Sequence, residues 1–256
     1  MAARRIRVGT AGWAVPRAVA GEFGAEGSAL VRYAARLDAA EINSTFWRRH
    51  RPGTMARWRD AVPRTFRFSV KLPRTITHDQ ALRGVKPLVR EFFADVAELG
   101  DRLGPVLIQL PPSLAFDQRS AVAFFRSLRE HHDGGLALEP RHESWFTGAV
   151  GELLARERVA RVAADPPRVP GADVPGGDPA LMYFRLHGSP VMYRSAYGAA
   201  RIAELAARLR DVPPAARVWC MFDNTASGAA AGDALALSGL LAEPTGRARS
   251  GRPRPP

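Results

Sequence analysis

Short apolar runs recur along the chain, each closing on a polar or charged residue, and segments with helical spacing separate nearly all of them. The runs are IRVGTAGW, AAEINSTF, FRFSVK, PVLIQL, LALEPRH, RVAAD, YFRLHG and VWCMFDN. Strands that alternate with helices predict βα units on a parallel sheet. Eight such units within 256 residues match the count and length of a (β/α)8 or TIM barrel, typically about 250 residues. In that α/β fold the carboxyl ends of the strands carry the active site.

The pattern places strands near residues 6–12, 40–46, 66–71, 105–110, 135–139, 160–165, 181–187 and 216–222. Helices are expected near 28–38, 52–61, 87–102, 118–132, 149–157, 201–210 and 226–242. Pro52 suits a first helical position, and Asp117 suits an N-cap. After strand six, PPRVPGADVPGGDPA is too rich in proline and glycine for a helix. The sixth helix is therefore expected to be missing or irregular. One domain is expected over residues 4–243, with a disordered basic tail at 244–256.

No stretch approaches about 18 uninterrupted apolar residues, so no membrane span is expected. The lone Cys220 leaves no intrachain disulfide, which points to a reducing cytoplasm. The net charge is +12, yet Arg247, Arg249, Arg252 and Arg254 all lie in the tail. Lysine occurs only at Lys71 and Lys86, and arginine, alanine, glycine and proline abound as GC-rich coding would produce. A nucleic-acid partner is thus open but not favoured.

Side chains two apart share a face of a strand. Strand seven sets Tyr183, Arg185 and His187 against Phe184 and Leu186, which places Arg185 and His187 inside the barrel. The same reading points Glu41, Asn43 and Thr45 of strand two inward, with Ser69 and Lys71 of strand three. Gln109, Glu139, Arg141, Asp165 and Asn224 stand at the ends of strands four, five, six and eight. His78, His142, Tyr193, Tyr197, Trp13, Trp47 and Trp145 occupy the loops that follow strands. Charges in a lumen must be paired, and this set of acids and cations formally balances, so an ion-pair plug competes with a functional site. GxGxxG, GxSxG, HExxH, P-loop and CxxC patterns are absent.

The stretches VGTAGW, EINSTFW, FRFSVKLPRTITHD, VLIQLPPS, ALEPRHESWF, YFRLHG and FDNTASGAAAGDALAL, running from residue 8 to 237, resemble the YecE-like family. That resemblance implies a TIM barrel in a widespread domain of unknown function. It also implies a site drawn from Glu41, Asn43, Lys71, His78, Gln109, Glu139, Arg141, Asp165, Arg185, His187 and Asn224. Asp223 departs from the Asn-Asn usual in that family, either altering local charge or facing a helix.

The chemistry favours an enzyme that acts on a small anionic substrate, bearing phosphate or carboxylate. Lys71, Arg141 and Arg185 would recognise the anion, and Glu139, Asp165 and His187 would exchange protons. Glu41, Asn43, His78, Gln109, Tyr193 and Asn224 would complete the substrate site. A Schiff base at Lys71 would need neighbouring cations to depress its pKa. No cofactor is required, although Glu41, Glu139, Asp165 and His187 are donors that a divalent metal accepts. A metal-dependent phosphodiesterase or isomerase, by analogy with endonuclease-four and xylose-isomerase barrels, is one alternative. A non-catalytic anion or nucleic-acid binding module is the other.

Overall fold

The structure is a computed structural model that describes residues 6–242. The expected tail at 244–256, and the outermost residues of the expected domain, lie outside the described residues. Parallel strands follow one another around a ring: β1 (Ile6–Ala11), β2 (Ala39–Ile42), β3 (Arg67–Lys71), β4 (Leu103–Gln109) and β5 (Leu136–Glu139). The sixth strand comes in two pieces, β6 (Val159–Arg161) and β7 (Ala163–Asp165), interrupted at Val162. The first piece pairs with β5 and the second with β9 (Leu181–Leu186), so this one segment bridges the two sides of the barrel. β10 (Arg217–Phe222) lies between β9 and β1 and completes the ring.

Helices α1 (Ala29–Ala34), α2 (Thr54–Asp60), α3 (Lys86–Val96), α4 (Gln118–Arg129), α5 (Gly148–Arg156), α6 (Ala199–Asp211) and α7 (Ala229–Ala242) follow their strands. No helix follows β7. The proline- and glycine-rich crossover instead forms β8 (Gly176–Gly177), which pairs antiparallel with β6. Asp117 caps α4 by accepting a 2.8 Å hydrogen bond from the Ser120 amide.

Three local expectations need correction. Pro52 does not start α2, because Gly53 intervenes with a left-handed φ of 74° and becomes the N-cap. The helix expected through residue 102 ends as α-helix at Val96 and continues as a 3-10 segment, Ala97–Arg102, that is broken at Gly100 (φ 53°, ψ −130°). Strand two stops at Ile42 and turns into a 3-10 segment, Ser44–Phe46, so alternation no longer governs Asn43 and Thr45.

The outward faces of the strands, including Phe68, Val70, Val106, Ile108, Phe184 and Phe222, pack against the helices. The lumen is layered. Its floor is apolar, built from Ala39, Leu107, Ala137, Ala160, Tyr183, Trp219 and Met221. Two residues further along the same strands, on the same face, stand Glu41, Gln109, Glu139, Arg185 and Asp223. The register that fills the floor with carbon therefore fills the mouth with charge.

Candidate active site

Arg185 is the hub of the upper lumen and is fully buried. Its guanidinium donates to both oxygens of Glu41, at 2.8 and 3.1 Å. It donates also to Glu139 Oε2 at 3.0 Å and lies 3.0 Å from Asp223 Oδ2. Below it, the Tyr183 hydroxyl bridges Glu41 at 2.8 Å and Ser69 at 2.9 Å. Burial and the Glu41 charge push the Tyr183 phenol well above its ordinary pKa, so it remains a donor.

Glu139 receives four residues. Gln109 Nε2 (3.1 Å), Arg141 Nη2 (3.0 Å) and His187 Nε2 (3.2 Å) converge on Oε1, while Arg185 takes Oε2. Burial alone would raise its pKa, but Arg185, His187 and Arg141 outweigh burial and hold the carboxyl well below the usual range. His187 is clasped on its other side by Asp223, 3.0 Å from Nδ1. Burial opposes a charged ring, yet Glu139 and Asp223 prevail and raise its pKa, favouring the imidazolium. Asp223, against burial, is held low by Arg185 and His187.

Tyr193 covers this cluster. Its ring meets the His187 ring edge-on at 5.4 Å, and its hydroxyl accepts from Arg141 at 3.2 Å. The Tyr193 amide donates to the His187 carbonyl, and the residue adopts a left-handed φ of 66° that an aromatic residue rarely tolerates. Gly188 begins the covering loop at φ +91°; a β-carbon there would lie 2.7 Å from the Ser195 carbonyl oxygen. The slot left beside Glu139 and His187 measures about 10 Å³, room for no more than one water.

Lys71 is different. It is only 7% exposed, and its Nζ lies 4.2 Å from the centre of the Phe46 ring. Among the described residues no carboxylate comes within 4.0 Å of that amine. Burial, and then the Arg185 charge, lower its pKa to about 8, against the pull of Glu41, Glu139 and Asp223. The neighbouring cation that a reactive lysine requires is thus present.

His78 packs edge-on against the same Phe46 ring at 5.1 Å, with its Nδ1 2.8 Å from the Thr77 hydroxyl. Burial, Arg74, Lys71 and Arg141 lower its pKa and keep it neutral. Asn43 sits just past β2, and its side-chain oxygen is buried without a protein partner. Behind Phe46 opens a cavity of about 290 Å³ walled by Phe46, Trp47, Met55, Leu88 and Phe92.

The sequence placed Glu41, Lys71, Gln109, Glu139, Arg141, Arg185, His187 and Tyr193 together, and the structure gathers them at one end of the barrel. Asp165 and Asn224 do not join them. In the sixth strand Ala160 and Val162 face the lumen, so Asp165 faces outward. There it accepts from the Tyr197 hydroxyl at 2.8 Å and pairs with Arg201 of α6. Asn224 likewise turns to α7 and donates to Asp233 at 2.7 Å. The four groups considered as metal donors are not assembled either. Asp165 lies elsewhere, and both Glu41 oxygens are committed to Arg185. Among the described residues no three His, Cys, Asp or Glu side chains are arranged to hold a metal ion.

The residue missed is Asp223. Its alternation with Trp219 and Met221, both lumen-facing, is the signal that finds it. Far from facing a helix, it completes the pairing of Arg185 and His187.

A family model described as "Protein of unknown function DUF72" matches residues 7–256. The UPF0759 protein YecE of Escherichia coli (strain K12) is 33% identical over 120 residues, and the match spans 46% of this chain and 43% of that protein. The chain therefore aligns with less than half the length of that curated relative. A DUF72 family protein from Enterococcus faecalis V583 superposes with a TM-score of 0.77 at 23% identity, covering 93% of this chain and 95% of the other. A DUF72 family protein from Thermotoga maritima MSB8 gives 0.76 at 24% identity, covering 93% and 99%. These likenesses concern the fold. No helix among the described residues is long and apolar enough to cross a membrane.

Proposed function

The chain belongs to the DUF72 family, whose description names no reaction, and from its site we propose an enzyme that moves a proton on a small anionic substrate. The observation that carries this reading is Lys71: a buried amine without a carboxylate partner among the described residues, beside a permanent cation, with a pKa of about 8. An amine of that pKa is partly neutral near pH 7, and a general base works best when its pKa lies near the working pH.

The anion of the substrate would lie between Lys71, His78 and Arg141. Of the cations in the upper lumen, Arg185 is locked among three carboxylates, whereas the Arg141 side chain retains 13% of its exposure. Arg141 Nε and Nη2 are held by Glu139 and Tyr193, which leaves Nη1, without a partner among the described residues, to donate to phosphate or carboxylate. Lys71 is the proton acceptor in this reading, and neutral His78 is the second group able to exchange a proton. Glu139 and His187 act as positioning residues: their charges are already satisfied by one another, by Arg141 and by Asp223.

The test is solvent exchange. Phosphate- and carboxylate-bearing small molecules are incubated with the protein in D2O and followed by proton NMR. Deuterium should enter a carbon-bound position next to a carbonyl or carboxylate of at least one compound. Lys71→Met should abolish that exchange and Lys86→Met should leave it intact. Exchange unaffected by Lys71→Met refutes the role of the amine. Binding without exchange, lost in Lys71→Met, would instead mark a non-catalytic anion-binding protein.

A further inference from the structure

The opposite end of the barrel holds a second cavity, of about 290 Å³. Arg7, Arg67, Arg217 and His132 reach it from the amino-terminal side, and Trp219 closes it from above. Arg7 and Arg67 belong to the first residues of β1 and β3, and Arg217 opens β10, so three strand starts aim guanidinium groups at one space.

The charge balance there differs from that of the mouth. Every cation of the upper lumen except Lys71 has a carboxylate partner. In the lower cavity, among the described residues, only Arg7 does, through Asp38 at 3.4 Å. Arg67 donates through Nη1 to the carbonyls of Arg64 and Phe66, both at 2.8 Å, and among the described residues no carboxylate lies within 4.0 Å of Arg67 or Arg217. Among the described residues no aspartate or glutamate lines the cavity. His132 Nε2 is buried and has no protein partner. Burial, and then Arg129, lower the His132 pKa, and Arg217 adds to the effect.

The floor of the barrel is fitted to this space. A β-carbon on Gly104 would lie 2.4 Å from the Trp219 ring, so the indole can seat only because that residue is glycine. The ring also carries the Arg7 guanidinium, 5.7 Å from its centre. A concave space lined by one sign of charge over an apolar wall concentrates the opposite charge. Paired guanidinium forks match phosphate oxygens in particular.

We propose that this cavity is a second binding site, separate from the Lys71 mouth, for a small molecule carrying a di- or triphosphate group. Arg67 and Arg217 clamp the phosphate oxygens, Arg7 supports them from the Trp219 face, and the His132 ring lies in the wall of the same cavity.

The probe is inorganic pyrophosphate, titrated by calorimetry into the full chain, into R67A/R217A, into R217A alone and into K71M. Arg217 is exposed at the start of its strand, so R217A keeps the test valid if the double variant folds poorly. The expected result is a saturable event that survives K71M, weakens about tenfold or more in R217A, and moves the His132 ring resonances of the parent protein. Two events, one removed by K71M and the other by R67A/R217A, give the same support. No saturable binding up to about 10 mM overturns the proposal, as does binding that R217A and R67A/R217A leave unchanged. Binding lost only in K71M would assign pyrophosphate to the mouth and overturn the second site while leaving the first reading intact.

Discussion

Replacing Arg185 by methionine tests whether the upper lumen is a single charge network. The substitution keeps most of the side-chain volume and removes the one cation that touches Glu41, Glu139 and Asp223 together. Removing one partner of a buried ion pair typically destabilises by about 3–5 kcal/mol, because the other charge stays in a poorly solvating interior. Glu139 and Asp223 retain His187, but among the described residues Glu41 keeps only the Tyr183 hydroxyl as a side-chain partner, so the penalty should reach that range. For a domain of this size it corresponds to a fall in Tm of roughly 6–20 °C. Urea unfolding followed by circular dichroism gives the free energy directly.

Two further arms isolate the cause. R185M/E41Q should recover part of the loss, since it removes the stranded charge. The penalty of R185M should also shrink between about pH 7 and about pH 5. A stranded buried carboxylate has a raised folded-state pKa, and its destabilisation is relieved once it takes up a proton. A loss below about 1 kcal/mol, or a larger loss that is flat with pH and unaltered by E41Q, would refute the network and leave only a packing effect.

Other outcomes follow from the same geometry. His187 has a raised folded-state pKa, so its stabilisation is complete below the unfolded value of about 6.5 and fades as pH rises through the folded value. The stability gap between the parent protein and His187→Gln should therefore narrow as pH rises from about 6 through the folded-state value; a gap that stays flat or widens contradicts the imidazolium. Asp165 fastens Tyr197, at the end of the loop carrying Tyr193, and Arg201 of the α6 that follows it. Asp165→Asn should speed amide exchange at Tyr193 by about tenfold, the effect of losing one charge-assisted hydrogen bond, while the Lys71 titration stays in place. Unchanged exchange would show that the loop does not depend on this latch.

How much of the site the sequence reveals depends on strand parity. Arg185, Glu139, Glu41 and Lys71 alternate cleanly with large apolar residues, and a barrel allows those only one direction. Asp165 and Asn224 end their strands equally well, but they stand one residue out of phase with lumen neighbours such as Val162 and Met221. A position at a strand end is therefore a weaker signal than phase along the strand. Phase also finds Asp223, which a comparison of residue types alone leaves ambiguous. The division of labour between Lys71 and Glu139 was not legible. Whether a charge is saturated depends on which side chains converge from six different strands. The missing sixth helix was legible, because its composition forbids a helix whatever the tertiary context.

The central claim is that Lys71 is an amine held in reserve for an anion rather than a member of the plug. Lysine labelled with 15N at Nζ gives signals from Lys71 and Lys86 alone, the chain's two lysines, and K71M identifies which is which. The signal of Lys71 should titrate near pH 8, and inorganic phosphate should shift that midpoint upward, because an anion beside the amine favours its charged form. A midpoint near the ordinary lysine value of about 10.4, insensitive to phosphate, would contradict the account and return Lys71 to the structural network.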